Sequence, residues 1–101
     1  MNKEKILGVI GLAYRAKKIV TGEESSLKLI KGNAAKMVFL ASDTAHSTTK
    51  RVTDKCKYYQ VLLINSFTTE ELSKAVGREN IKVLGLSCPN FYQLISNYLE
   101  K

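Results

Sequence analysis

The residues best placed to do chemistry are those of Thr21-Gly22-Glu23-Glu24-Ser25-Ser26-Leu27-Lys28. A glycine just before a helix lets the backbone approach a ligand more closely than a side chain would allow. The first N–H groups of a helix have no partner within it, and the helix dipole adds positive potential there. Glu23, Glu24 and Ser25 are therefore predicted to present backbone N–H groups to an anion. Lys28 lies one turn beyond Glu24 on the same face, and Lys31 follows one turn later. The same residues also suit an ordinary capped helix, with Thr21 as N-cap and Glu24 paired to Lys28.

Other reactive side chains form weaker patterns. Lys50, Arg51, Lys55 and Lys57 could track phosphate, although a solvated helix face is the simpler reading. His46 follows an apolar run and could be a base or a nucleic-acid contact; a surface histidine at a helix start is simpler. Cys88-Pro89 opens a helix, where thiol pKa falls, yet no acidic or histidine partner stands at recognisable spacing, so no catalytic thiol is expected. Tyr58-Tyr59 could stack bases, but Tyr59 falls on an apolar stripe and is assigned to the core. Cys56 and Cys88 form no CxxC pair, and His46 is not at ligand spacing from either, so no metal is expected. Both thiols should be reduced. The phosphate-binding patterns G-x-G-x-x-G and G-x-x-x-x-G-K-[ST] are absent. No catalytic residue and no cofactor are assigned.

Net charge is +7 over 101 residues. It is unevenly placed: residues 1–57 hold 12 Lys+Arg against 5 Asp+Glu, and residues 58–101 hold 4 of each. A one-sided positive field attracts polyanions, and each phosphate contact releases counterions. The length fits one domain, 1–101. The start Met1-Asn2-Lys3-Glu4-Lys5 leads into an amphipathic segment rather than a signal peptide. No apolar run is long enough to span a bilayer. A cytoplasmic protein with no membrane partner is expected.

The elements that must position these residues alternate. Ile6, Val9, Ile10 and Ala13 mark a first helix with Asn2 as N-cap. Ile19-Val20 is a short β-prone step. Leu27 and Ile30 mark the second helix, stopped by Gly32-Asn33. Met37–Ala41 is a buried strand. Ala45, Thr49, Val52, Cys56 and Tyr59 mark a third helix, and Val61–Ile64 a second buried strand. Thr68 or Thr69 caps a short helix closed by Gly77. Ile81–Leu86 is a last strand, and Phe91, Leu94, Ile95 and Tyr98 a last helix. Such alternation argues an α/β domain with a mostly parallel sheet and helices on both faces.

The Gly22…Lys28 segment resembles the G-x-x-x-x-x-K signature of the kink-turn-binding ribosomal-protein superfamily, the L-seven-Ae / L-thirty-e group. The likeness continues through Lys31-Gly32-Asn33-Ala34-Ala35-Lys36-Met37-Val38-Phe39-Leu40-Ala41-Ser42-Asp43 and Val76-Gly77-Arg78. Gly22-Glu23-Glu24 with Thr53-Asp54-Lys55-Cys56 is most similar to a bacterial YlxQ-type branch. The resemblance implies a three-layer α/β/α sandwich around a mixed four-stranded sheet. It also implies binding of kink-turn RNA, a sharp bend flanked by sheared G·A pairs, by a monomer associated with ribosomal or other structured RNA. Gly22 matches the family glycine, Lys28 the guanine-reaching lysine and Asp43 the strand-end aspartate. Arg78, Glu79, Asn80 and Ile81 fall in the loop that covers a flipped-out base. Archaeal and eukaryotic members carry Asn then Glu where this chain has Glu24 then Ser25. Asn donates and accepts, whereas ionised Glu only accepts. Arg78 stands at a typically apolar position and Asn80 at a basic one.

The resulting expectation is a non-catalytic RNA-binding protein that uses Gly22, Glu23, Glu24, Ser25, Lys28, Lys31, Asp43, Arg78 and Asn80. Two alternatives remain beside it. One is a protein-interaction module of the translation or RNA-processing machinery, docking through the neutral second half. The other is a small nucleotide- or phosphate-binding enzyme.

Overall fold

The computed structural model describes residues 1–100. Helix α1 (Lys3–Arg15) precedes strand β1 (Ile19–Thr21), and α2 (Glu23–Lys31) precedes β2 (Met37–Leu40). Then follow α3 (His46–Tyr59), β3 (Leu62–Ile64), α4 (Thr69–Val76), β4 (Val83–Leu86) and α5 (Pro89–Leu99). Local chemistry explains most boundaries. The Asn2 side chain accepts the Lys5 N–H and starts α1. Thr68 and Glu71 form a reciprocal capping box at α4, which Gly77 ends in the left-handed conformation. Pro89 occupies the first turn of α5, where its missing N–H costs nothing.

The strands lie in the order β1-β4-β2-β3. Only β2 and β3 pair in parallel; β4 runs antiparallel to both its neighbours. The mostly parallel sheet inferred from alternation is thus corrected, and the mixed sheet of the resemblance is present. β4 reverses because the chain leaves β3, passes through α4, and re-enters the sheet at the end it had just left: the Ala41 N–H donates to the Lys82 carbonyl there, at 2.8 Å. The ends of β1, β2 and β3 and the start of β4 therefore share one end of the sheet, called here the Gly22 end. The starts of β1, β2 and β3 and the end of β4 share the far end.

Two apolar cores cover the sheet. The larger joins α1, α4 and α5 to one face through Ile6, Ile10, Phe39, Phe67, Leu72, Leu84 and Ile95, all fully buried. The smaller joins α2 and α3 to the other through Ile30, Val38, Leu40, Val52, Cys56 and Val83. These are the three layers of the sandwich. β3 is an edge strand with Leu62 42% exposed, so the expectation of a fully buried strand there is corrected. The last strand begins at Val83 rather than Ile81. The Ile81 N–H instead bonds the Ser73 hydroxyl at 2.8 Å.

Gly85 and Gly11 set the layer spacings. A Cβ at Gly85 would meet Leu29, Val20 and the Ser26 hydroxyl at 3.1–3.4 Å, so α2 lies close over β4. A Cβ at Gly11 would stand 2.8 Å from the Ala75 carbonyl oxygen, so α1 and α4 nearly touch.

Candidate nucleic-acid interface

Gly22, not Thr21, is the N-cap of α2, which corrects the expected cap. Thr21 is the last residue of β1, opposite Leu84. Gly22 adopts φ 97° and ψ 160°, a region open essentially to glycine alone. Its N–H extends the sheet pairing to the Val83 carbonyl at 2.8 Å, and its carbonyl accepts the Ser26 N–H. No side chain caps α2. The strand thus turns into the helix within one residue, with the first-turn backbone facing outward at the sheet end.

Tertiary contacts claim Glu23. Arg51 of α3 donates to its carboxylate through Nε and, at 3.1 Å, through a terminal nitrogen; the Thr48 hydroxyl adds a bond at 3.2 Å. The Arg51 hydrogen bonds hold the Glu23 carboxyl below its usual range. Glu23 therefore ties α2 to α3. Glu24 and Lys28 behave differently. They form an i,i+4 pair at 3.8 Å, with side chains 89% and 78% exposed. Such a pair contributes about 0.3–0.5 kcal/mol, so Lys28 is free to turn to a ligand at little cost. Ser25 is exposed beside them.

Asp43 follows β2 at the same end. It accepts the Thr69 hydroxyl at 2.7 Å and the Thr69 N–H at 2.9 Å. These bonds, the hydroxyl's first, keep its carboxyl below the ordinary carboxylate range. Lys82 donates to the Thr69 hydroxyl at 3.3 Å, so Asp43, Thr69 and Lys82 form a chain leading to β4. Arg78 and Asn80 lie in the connection into β4. Arg78 reaches the Tyr14 hydroxyl at 3.4 Å, and Asn80 sits at φ 57°. Gly22, Glu23, Glu24, Ser25 and Asp43 thus belong to the Gly22 end; Lys28 faces it from the middle of α2 through Glu24, Asn80 stands three residues before β4, and Arg78 turns to Tyr14 in the last turn of α1. Lys31 does not belong to that end: it is the last residue of α2, eight positions and about 12 Å from Glu23.

Sequence reading missed Thr48, Arg51, Thr69 and Lys82 as neighbours of these residues. Their partners stand 13 to 28 positions away, beyond any local periodicity. His46 is the exposed first residue of α3. Cys56 is buried, and its desolvated thiol is pushed up to about 11. Cys88 is the N-cap of α5; the Phe91 N–H foremost lowers its thiol pKa. Tyr59 packs partly into the smaller core, whereas Tyr58 is 79% exposed.

A groove of about 640 Å³ lies between α1 and α4. Glu4, Glu70 and Glu71 line it together with Arg15 and Lys74. Among the described residues no cluster of three His, Cys, Asp or Glu side chains is arranged to hold a metal. No helix among them is long and apolar enough to cross a membrane.

Residues 4–91 match the ribosomal protein L7Ae/L30e/S12e/Gadd45 family. The chain is 36% identical over 99 residues to the RNA-binding protein YlxQ of Enterococcus faecium, covering 98% of this chain and 95% of that one. It is 35% identical over 92 residues to the RNA-binding protein YlxQ of Bacillus subtilis (strain 168), covering 91% and 92%. A Bacillus halodurans C protein of unknown function superposes with a TM-score of 0.90 at 30% identity, covering 96% of this chain and 98% of that one. The Giardia lamblia 15.5kD RNA binding protein superposes with a TM-score of 0.85 at 16% identity, covering 99% and 89%, and so shares the fold. Motif order, mixed sheet and relatives agree: the chain belongs to the ribosomal protein L7Ae/L30e/S12e/Gadd45 family, in its YlxQ-type branch.

Proposed function

We propose that this chain is a non-catalytic, cytoplasmic RNA-binding protein that receives a sharply bent, kink-turn-type RNA at the Gly22 end. The observation carrying this reading is the uncapped start of α2, entered through a glycine at φ 97° directly beside the start of β4. A backbone of that shape admits a phosphate or a guanine edge. Lys28 reaches toward it from the next turn, since helical side chains lean toward the N-terminus. Both YlxQ relatives are named RNA-binding proteins, which supports the partner class. Arg78 and Asn80, in the connection into β4, would flank an unstacked base. Ionised Glu24 would accept from guanine N–H groups. Glu23 and Asp43 serve chiefly to hold the surrounding segments in place. The protein acts as a monomer on one domain and associates with ribosomal or other structured RNA.

Filter binding with a kink-turn RNA tests the reading. Lys28→Ala should cost about 1–3 kcal/mol if Lys28 reads a base edge. Affinity equal to that for a straight duplex, and indifferent to Lys28→Ala, would sink it.

A further inference from the structure

The positive charge of this protein is not concentrated at the Gly22 end. There Lys3, Lys5, Lys50, Arg51 and Lys82 are offset by Glu4, Glu23, Glu24, Asp43, Glu70 and Glu71, with Lys3 paired to Glu71 and Arg51 to Glu23. At the far end stand Lys17, Lys18, Lys31, Lys36 and Lys57, all exposed. None of the five takes part in an ion pair among the described residues. No Asp or Glu occurs in the far-end connections 16–18, 32–36, 60–61 and 87–88. The last turns of α1, α2 and α3 and the first turn of α5 contain none either.

Compensation of helix dipoles explains Lys31 and Lys57, which lie in last turns. It does not explain Lys17, Lys18 and Lys36, which lie in connections. The backbone fixes two of these against β4. The Lys18 carbonyl accepts both the N–H and the hydroxyl of Ser87, at 3.0 and 3.2 Å. The Lys36 N–H donates to the Leu86 carbonyl at 2.7 Å. Since β1 and β2 flank β4, Lys18 and Lys36 stand about 10 Å apart, two strand spacings. Beside Lys57, Tyr58 presents a ring 79% exposed. Tyr59 holds it edge-on, with centroids 4.9 Å apart. An exposed aromatic at the same end of the sheet as several unpaired cations is what an unpaired base and its phosphates require. A membrane would call instead for an apolar helix face, and an acidic peptide would not need the ring.

We propose that the far end is a second RNA contact: Lys17, Lys18, Lys31, Lys36 and Lys57 hold the backbone of a single-stranded segment, and Tyr58 stacks one of its bases. One molecule would then hold two RNA segments at opposite ends of a body 25–28 Å across. The proposal takes its partner class from the function proposed above but rests on different residues.

Fluorescence anisotropy with a short unstructured RNA, titrated with salt, tests it. Replacing Lys17, Lys18, Lys36 and Lys57 together by Gln should weaken binding at least about tenfold and reduce the salt slope by about 3, near 0.7 per lost contact. The same four positions changed to Arg should bind as the parent does. Tyr58→Ala should weaken binding about tenfold, as loss of one stacked base does. Lys74→Gln, in the groove between α1 and α4 and outside both ends, should leave this probe unaffected. An unchanged slope in the four-Gln variant overturns the proposal, as does an equal loss of binding on Lys74→Gln alone. Displacement by poly-glutamate as effective as by RNA of equal charge also overturns it, pointing to an acidic protein instead. If kink-turn RNA shows no preference in filter binding, the reading of the Gly22 end fails while these variants still report on the far end.

Discussion

Gly22 is where a single residue decides the most. A Cβ there would meet nothing within 4 Å, so space does not require glycine. The backbone conformation does, and a substitution pays in strain alone. Gly22→Ala should destabilise the protein by about 1–3 kcal/mol. Thermal melting reads this as a fall of about 4–8 °C per kcal/mol, and an unchanged melt would show that the turn relaxes without cost. The cysteines make a second test. Cys88 sits at a helix start with a lowered pKa, and Cys56 is buried with its thiol pushed up to about 11. Iodoacetamide at neutral pH should alkylate Cys88 in the folded protein and Cys56 only after denaturation, as peptide mass spectrometry would show. Equal labelling of both would contradict the burial of Cys56. The sequence singled out Gly22 and Lys28 through their spacing, but it held no sign that Arg51 would engage Glu23.

Helix identities follow from periodicity, yet their contacts set the geometry. α1 and α4 approach so closely that Gly11 has the Ala75 carbonyl where a methyl group would go. The clash is with backbone, which cannot rotate aside. Gly11→Ala should force the helices apart and cost about 1–3 kcal/mol, as overpacking does; urea denaturation measures it. A stable Gly11→Ala protein would mean that α4 shifts freely. The N-caps Asn2 and Thr68, and Pro89 in the first turn of α5, were legible because each acts within its own turn. The cap of α2 was misread because Thr21 pairs with Leu84 across the sheet, and that pairing is non-local.

At the scale of the whole molecule, carboxylates fasten segments distant in the chain. Asp43 holds Thr69, 26 positions on, and Glu23 holds Arg51, 28 positions on. Both carboxyls lie below their ordinary range in the folded protein. Their contribution is therefore complete above the unfolded values, about pH 4, and is lost as pH falls through the lowered folded values. Melting temperature should hold near neutral pH and fall on acidification below about pH 4. Asp43→Ala should lower it at neutral pH, and the two curves should converge in acid. Parallel curves would show that Asp43 adds no pH-linked stability.

The sequence by itself determined the order of helices and strands and the family, because each is written in local spacing or in motif order. It also determined that net charge gathers in the first half of the chain. Tertiary structure alone decided that β4 enters between β1 and β2 and runs against both. It decided, too, that Glu23 belongs to α3 as much as to α2. Above all it sorted the charge. The helix start at Gly22 and the unpaired lysines share the same half of the sequence, but strand direction sends them to opposite ends of the sheet.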